Sequence, residues 1–301
     1  MANNVQRAIL TLPGFDQSYE KFFKQMQVEQ YSPGSISGYV SKLAAICLHF
    51  CKVPKSLTSD DCRDYFSMLL SRTPSPCLSY FKHTVYSLRC YCRIMNLPTL
   101  GVSLPHIRKK KKLAVVLSQS KVRSLLQNCS NLRDKALLAL VYSSGLRLGE
   151  VRRLELADID RGRMMIHVRQ SKGRKDRYVP LSRSLLPVLR AYYKAYRPQI
   201  YCFNGRNAGC PITKNEVHFV FNSAVRSQGI RKRVTLHTLR HSYCTHLLEM
   251  GENILRIKEL MGHSNIRTTM TYLHLLPSSR SNALARWTDS FRRIKPHSGE
   301  T

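Results

Sequence analysis

No run in this 301-residue chain approaches the roughly 18 uninterrupted apolar residues that a membrane span requires. The N-terminus lacks a basic segment leading into an apolar stretch and a small-residue cleavage site. No secretory signal is therefore read, and the expected compartment is the cytoplasm. Ten cysteines are present without a Cys-x-x-Cys pair; the nearest, Cys47/Cys51 and Cys90/Cys92, lie within apolar helical runs. That spacing argues against a zinc site and for free, mostly buried thiols in a reducing compartment. No G-x-x-x-x-G-K-[ST] loop occurs, so the commonest nucleotide-binding signature is missing. Internal repeats and low-complexity segments are absent as well.

The scarcest class is acid. Eighteen Asp plus Glu face 49 Lys plus Arg, giving a net charge of +31 and a pI near 10.2. Such a surplus repels itself unless an anionic partner neutralises it, and a phosphate backbone is the commonest such partner. A generally basic surface without a specific ligand is the bland alternative. An anionic membrane surface fits less well, because no long amphipathic basic helix stands apart from the body. The length suffices for two domains, each with its own core.

Residues 1–14 read as a flexible tail, and residues 15–104 as a helical domain of about four helices. The first helix follows an apolar period over 15–28. A turn at Pro33 and Gly34 leads to a second, lined by Ile36, Val40, Leu43 and Ile46. The third opens near Thr58, with Asp60 and Asp61 at the positive end of the helix dipole, and the fourth spans about 75–95. Residues 105–116 carry the basic run Arg108, Lys109, Lys110, Lys111 and Lys112, an extended linker suited to a phosphate backbone. Residues 117–301 form the second domain. Helical patterns up to about 153 precede two strands, MMIHV and YVPL, around a charged turn, which together read as a β-hairpin. Helical patterns return at 182–197, 214–227, 238–249 and 253–260. Residues 278–297 look like a final amphipathic helix with Leu284, Trp287 and Phe291 on one face. The expected fold class is mainly α with a small β-hairpin or sheet.

Five short stretches of the second domain stand out. SSGLRLGEVRRL places Arg147 just after a glycine break and before a helix. SKGRKDR places Lys172 at the hairpin tip. LHTLRHSYCTHLL sets His237, Arg240 and His241 on one helical face. LMGHSN carries His263, and TTMTYLHLLP carries Tyr272 nine residues later. Any one of these residues alone reads more simply as packing or surface charge. Tyr272 is one of 15 tyrosines, and His241 and His246 read as structural histidines rather than metal ligands. In this order, however, the five resemble the tyrosine recombinase family of Xer-type and phage integrase enzymes. That family's pattern is an Arg in a [ST]-G-[LM]-R turn, a hairpin Lys, an H-x-L-R segment, an L-G-H segment and a Tyr about nine residues on.

The resemblance implies a helical core-binding domain over 15–104 and a mixed α+β catalytic domain over 117–301. It implies a site-specific DNA recombinase that cleaves and rejoins duplex DNA through a 3′-phosphotyrosine, with strand exchange via a Holliday junction. Tyr272 would be the nucleophile. Arg147 and Arg240 would clamp the phosphate oxygens, Lys172 would protonate the leaving oxygen, and His237 and His263 would bond the phosphate or assist proton transfer. Glu150 would be the acidic support that orients an Arg or a His. These residue types suit phosphoryl transfer, in which positioned cations answer the charge gathering in the transition state. Arg174 and Lys175, beside Lys172, read as DNA contacts. No metal and no cofactor are called for. The expected partners are double-stranded DNA and three further copies in a homotetramer on synapsed sites, with accessory recombination proteins allowed and no membrane. Two rivals share parts of this reading: a type IB topoisomerase-like enzyme, and a DNA-binding protein that has lost catalysis.

Overall fold

A computed structural model describes residues 3–72, 78–97, 114–169, 176–207 and 209–275. The chain divides into two compact units, residues 1–111 and residues 112–301. The basic run at 108–112, the hairpin tip with Lys172, Arg174 and Lys175, and the segment 278–297 lie outside the described residues.

The first unit is helical: α1 (Asn4–Thr11), α2 (Phe15–Val28), α3 (Pro33–Phe50), α4 (Ser59–Ser71) and α5 (Leu78–Ile94). Its core is apolar, with Phe15, Phe22, Met26, Leu43, Ile46, Leu69, Leu88 and Tyr91 buried. The start of α4 follows from its sequence: Thr58 caps the Asp61 amide at 3.1 Å while the Asp61 carboxylate accepts from the Thr58 amide at 2.8 Å. The tail expected over 1–14 is instead α1. Asn3 caps it, and Ala8 and the following Leu12 sink into the core. Val5, Ala8 and Leu12 share one helical face, which repays the ordering of a short segment.

The second unit begins with α6 (Gln119–Gln127), α7 (Leu132–Ser144) and α8 (Leu148–Arg153). A three-stranded antiparallel sheet follows in the order β1 (Ile159–Asp160), β2 (Met165–Val168), β3 (Arg177–Pro180). The hairpin pairs Ile166 with Val179, both fully buried, so this register turns the apolar face inward. The chain continues through α9 (Leu185–Tyr196), α10 (Lys214–Ser227), α11 (Leu236–Glu249), α12 (Ile254–Met261) and α13 (Ile266–Met270). The architecture is mainly α with a small sheet. β1, two residues long, was not expected. The nine described cysteines are all free, and Cys51 and Cys210 among them are exposed. No described helix is long and apolar enough to cross a membrane.

Candidate active site

Gly145 ends α7 in the left-handed region at φ 59°. A side chain is excluded there, since a Cβ would lie 2.6 Å from the Tyr243 ring. The turn sets Arg147 at the N-terminus of α8, one turn before Glu150. The Glu150 carboxylate accepts from the Arg147 amide at 2.8 Å and from its Nη1 at 2.7 Å. It also accepts both amino groups of Arg177 at 2.9 Å, in a bidentate pair across 27 residues of sequence. Burial pushes the Glu150 pKa upward. Arg177 first, then Arg147, outweigh that and hold the carboxyl well below the usual range.

The same arginines reach the end of α12. Arg177 Nε donates to the Leu260 carbonyl at 2.9 Å, and Arg147 Nη2 donates to the Gly262 carbonyl at 2.8 Å. Arg240, only 1% exposed, donates to the carbonyls of Met261 and Gly145. Burial and then the nearby Arg147 lower its pKa to about 10, so it stays cationic at neutral pH. The two guanidiniums expected to clamp the phosphate oxygens differ in exposure. Arg147 keeps 23% of its side chain exposed, while the buried Arg240 is bonded to the backbone carbonyls of Gly145 and Met261.

Histidines and the tyrosine complete the site. Burial, then Arg240 and Arg147, depress His263 to about 4, and its Nδ1 sits 2.9 Å from the buried Thr269 hydroxyl. His237 is exposed, and partial burial, then Arg240 and Arg147, lower its pKa too. Tyr272 is 4% exposed and packs with Cys244, Ile257 and Met261. Its ring lies parallel to His263 at 6.4 Å, and its hydroxyl meets His241 Nδ1 at 2.5 Å. Burial raises the phenol to about 12, with Arg240 and Arg147 opposing the rise.

Arg147, Glu150, His237, Arg240, His263 and Tyr272 therefore come together from α8, α11 and the segment after α12. Lys172 lies outside the described residues. Three participants escaped the sequence reading. Arg177, at the base of the hairpin, looked like one more basic residue of SKGRKDR. His241 carried a signal in its spacing from His237 but looked structural. Thr269 carried none. Among the described residues no three His, Cys, Asp or Glu side chains form a group able to hold a metal ion. Three guanidiniums around one carboxylate, beside neutral imidazoles, leave a net positive charge that suits an anion next to a phenol.

The sequence pattern of the phage integrase family matches residues 115–279, which include every one of these side chains. The chain belongs to the phage integrase family. It is a tyrosine recombinase enzyme, and its reaction class is site-specific recombination. The recombinase is 34% identical over 260 residues to a putative integrase/recombinase, y4qK, of Sinorhizobium fredii, covering 85% of this chain and 83% of that protein. It is 32% identical over 288 residues to the tyrosine recombinase XerC of Xanthomonas campestris pv. campestris, covering 88% and 87%. In fold it resembles a lambda integrase dimer bound to a COC′ core site, at a TM-score of 0.69 and 17% identity, covering 85% of this chain and 94% of that one.

Proposed function

We propose that this recombinase cleaves and rejoins duplex DNA by attack of Tyr272 on the scissile phosphate, giving a 3′-phosphotyrosine, and exchanges strands through a Holliday junction. The observation that carries the reading is the Tyr272 ring lying parallel to His263 at 6.4 Å, with both groups in the field of Arg240 and Arg147. An anionic phosphodiester repels a nucleophile, and fixed cations offset that repulsion without reorganising as charge develops. Arg147, partly open, meets the non-bridging oxygens. The buried Arg240 adds positive charge, Glu150 fixes Arg147, and His263 and His237 bond the phosphate. Lys172 protonates the departing 5′-oxygen. The phosphotyrosine conserves the energy of the broken bond, so rejoining needs no nucleotide, and the positive side chains supply the charge a metal would bring.

The net charge of +31 supports duplex DNA as the partner. Arg108, Lys109, Lys110, Lys111, Lys112, Arg174 and Lys175 follow its backbone. The helical segment 15–104 serves as the core-binding domain, 105–116 as the linker and 117–301 as the catalytic domain. Four copies assemble on two synapsed sites, in the cytoplasm and on DNA. The test is covalent capture. A nicked duplex carrying the cleavage site should trap the parent protein in excess chelator, and Tyr272→Phe should bind the same DNA without forming the adduct. An adduct with Tyr272→Phe would assign the nucleophile to another tyrosine.

A further inference from the structure

The hydrogen bond between Tyr272 and His241 has no place among the roles above. The tyrosine hydroxyl meets His241 Nδ1 at 2.5 Å, with ring centroids 5.4 Å apart. Among the described residues, His241 is the side chain bonded to that oxygen. Burial raises the phenol to about 12. Burial, His237 and Arg240 lower His241 to about 4, so both groups are neutral at neutral pH. A neutral phenol has one proton to give, and a neutral imidazole has one lone pair to receive it. In the tautomer that carries its proton on Nε2, Tyr272 donates and His241 Nδ1 accepts across this contact.

His241 is also firmly placed. It follows Arg240, whose guanidinium is pinned to the carbonyls of Gly145 and Met261, and precedes the buried Ser242, whose hydroxyl donates to the Thr238 carbonyl at 2.8 Å and accepts from the Leu117 amide at 2.9 Å. The helix that carries His241 is thus tied on both sides of the residue.

We propose that His241 is the proton acceptor of the nucleophile, holding the Tyr272 hydroxyl in place and taking its proton as the oxygen attacks phosphorus. The inference rests on Tyr272 being the nucleophile. In the step, the bond from the tyrosine oxygen to phosphorus forms and the bond from phosphorus to the 5′-oxygen breaks. The phenol proton moves to Nδ1 of His241, and the departing oxygen takes a proton from Lys172. Rejoining runs the same transfers in reverse. Burial first, then His237 and Arg240, disfavour a protonated His241, and the charge of a bound phosphate offsets the Arg240 part.

His237 is the rival acceptor, one turn earlier on the same face. Its ring centroid lies 4.3 Å from that of His241, edge to face, but the bond to the hydroxyl is made by His241. A base must first be within reach of the proton it takes, and only then does its basicity matter.

The test uses the full chain and a nicked duplex carrying the site at which the parent is captured from a random-sequence library. His241→Ala should bind this DNA normally and form the adduct about 10²–10⁴-fold more slowly. Added imidazoles should restore its rate, more so as their basicity rises, and should not restore His237→Ala. His241→Asn keeps an acceptor without a base. It should retain the parent's thermal midpoint and remain slow, and it carries the test if the alanine variant unfolds. Parent-like adduct formation by either His241 variant overturns the proposal. So does a folded His241→Ala that imidazoles fail to rescue, rescue that ignores basicity, or rescue of His237→Ala instead. A parent protein that forms no adduct, or a Tyr272→Phe protein that does, defeats the nucleophile assignment instead.

Discussion

The two units bury different chemistry. Residues 1–111 are packed around rings, aliphatic chains and the thiols of Cys47 and Cys62. Their one buried charged side chain among the described residues is Asp61, which closes a helix cap and pairs with the half-exposed Lys52 at 2.8 Å. The second unit buries Arg240, Glu150 and Asp158, and nearly buries Arg177. Desolvating charge is costly, and well-packed apolar residues would often serve stability as well or better. The first unit follows that economy. The second departs from it where a fixed positive field is needed, so the difference separates a unit built to be stable from one built to hold cations still.

The largest effect should come from removing the counter-charge. Glu150→Gln leaves Arg177 and Arg240 buried without their carboxylate, and a broken buried pair costs about 3–5 kcal/mol. Urea unfolding should report that loss, and hydrogen exchange should place it in residues 112–301. Adduct formation on the nicked duplex should fall with it. A variant as stable as the parent would mean that the buried ions are balanced by something other than Glu150.

Phe22→Ala should cost the first unit about 3 kcal/mol, through lost burial and the cavity left behind. Hydrogen exchange should now mark residues 1–111, while adduct formation at saturating DNA keeps the parent's rate. Slower chemistry under those conditions would break the division between the units.

Acid should separate the units more gently. His241 and His263 sit near 4 in the fold against an ordinary 6.5, so between these values the unfolded chain binds more protons. Their contribution is complete above about pH 6.5 and drains away as pH falls toward 4. The corresponding loss for Asp61, whose pKa is lowered from 3.8 by Lys52 and then by the Thr58 amide, lies below that window. Thermal midpoints read unit by unit from pH 7 to 4.5 should show the second unit giving way first. Equal losses in both would detach the histidines from the stability of the site.

The sequence made some of this legible and hid the rest for physical reasons. The span of α2, Phe15–Val28, follows from its apolar period, and the start of α4 from Thr58 and Asp61. The ordered motifs located Arg147, His237, Arg240, His263 and Tyr272, because each sits in a short local pattern. Helix α1 stayed hidden because an apolar residue on it, Leu10, points to solvent at 83% exposure and blurs the period. The distant partners of Glu150 and Tyr272 stayed hidden because Arg177 lies 27 residues from one and His241 lies 31 from the other. No local spacing encodes a pair closed by tertiary folding.

The end of α12 has one further consequence. Three successive carbonyls there, those of Leu260, Met261 and Gly262, each accept from a different arginine: Arg177, Arg240 and Arg147. The last carbonyls of a helix lack partners of their own and carry the negative end of its dipole. Here that end acts as a ruler, and the pitch of one helix sets the spacing of three guanidiniums drawn from a turn, a strand and another helix. Backbone carbonyls do not titrate, so the ruler keeps its marks when carboxylates protonate. Its weak point is the left-handed Gly262, at φ 58°, where a Cβ would stand 3.0 Å from Arg177. Any residue with a side chain there would press on Arg177, although that arginine had not been changed.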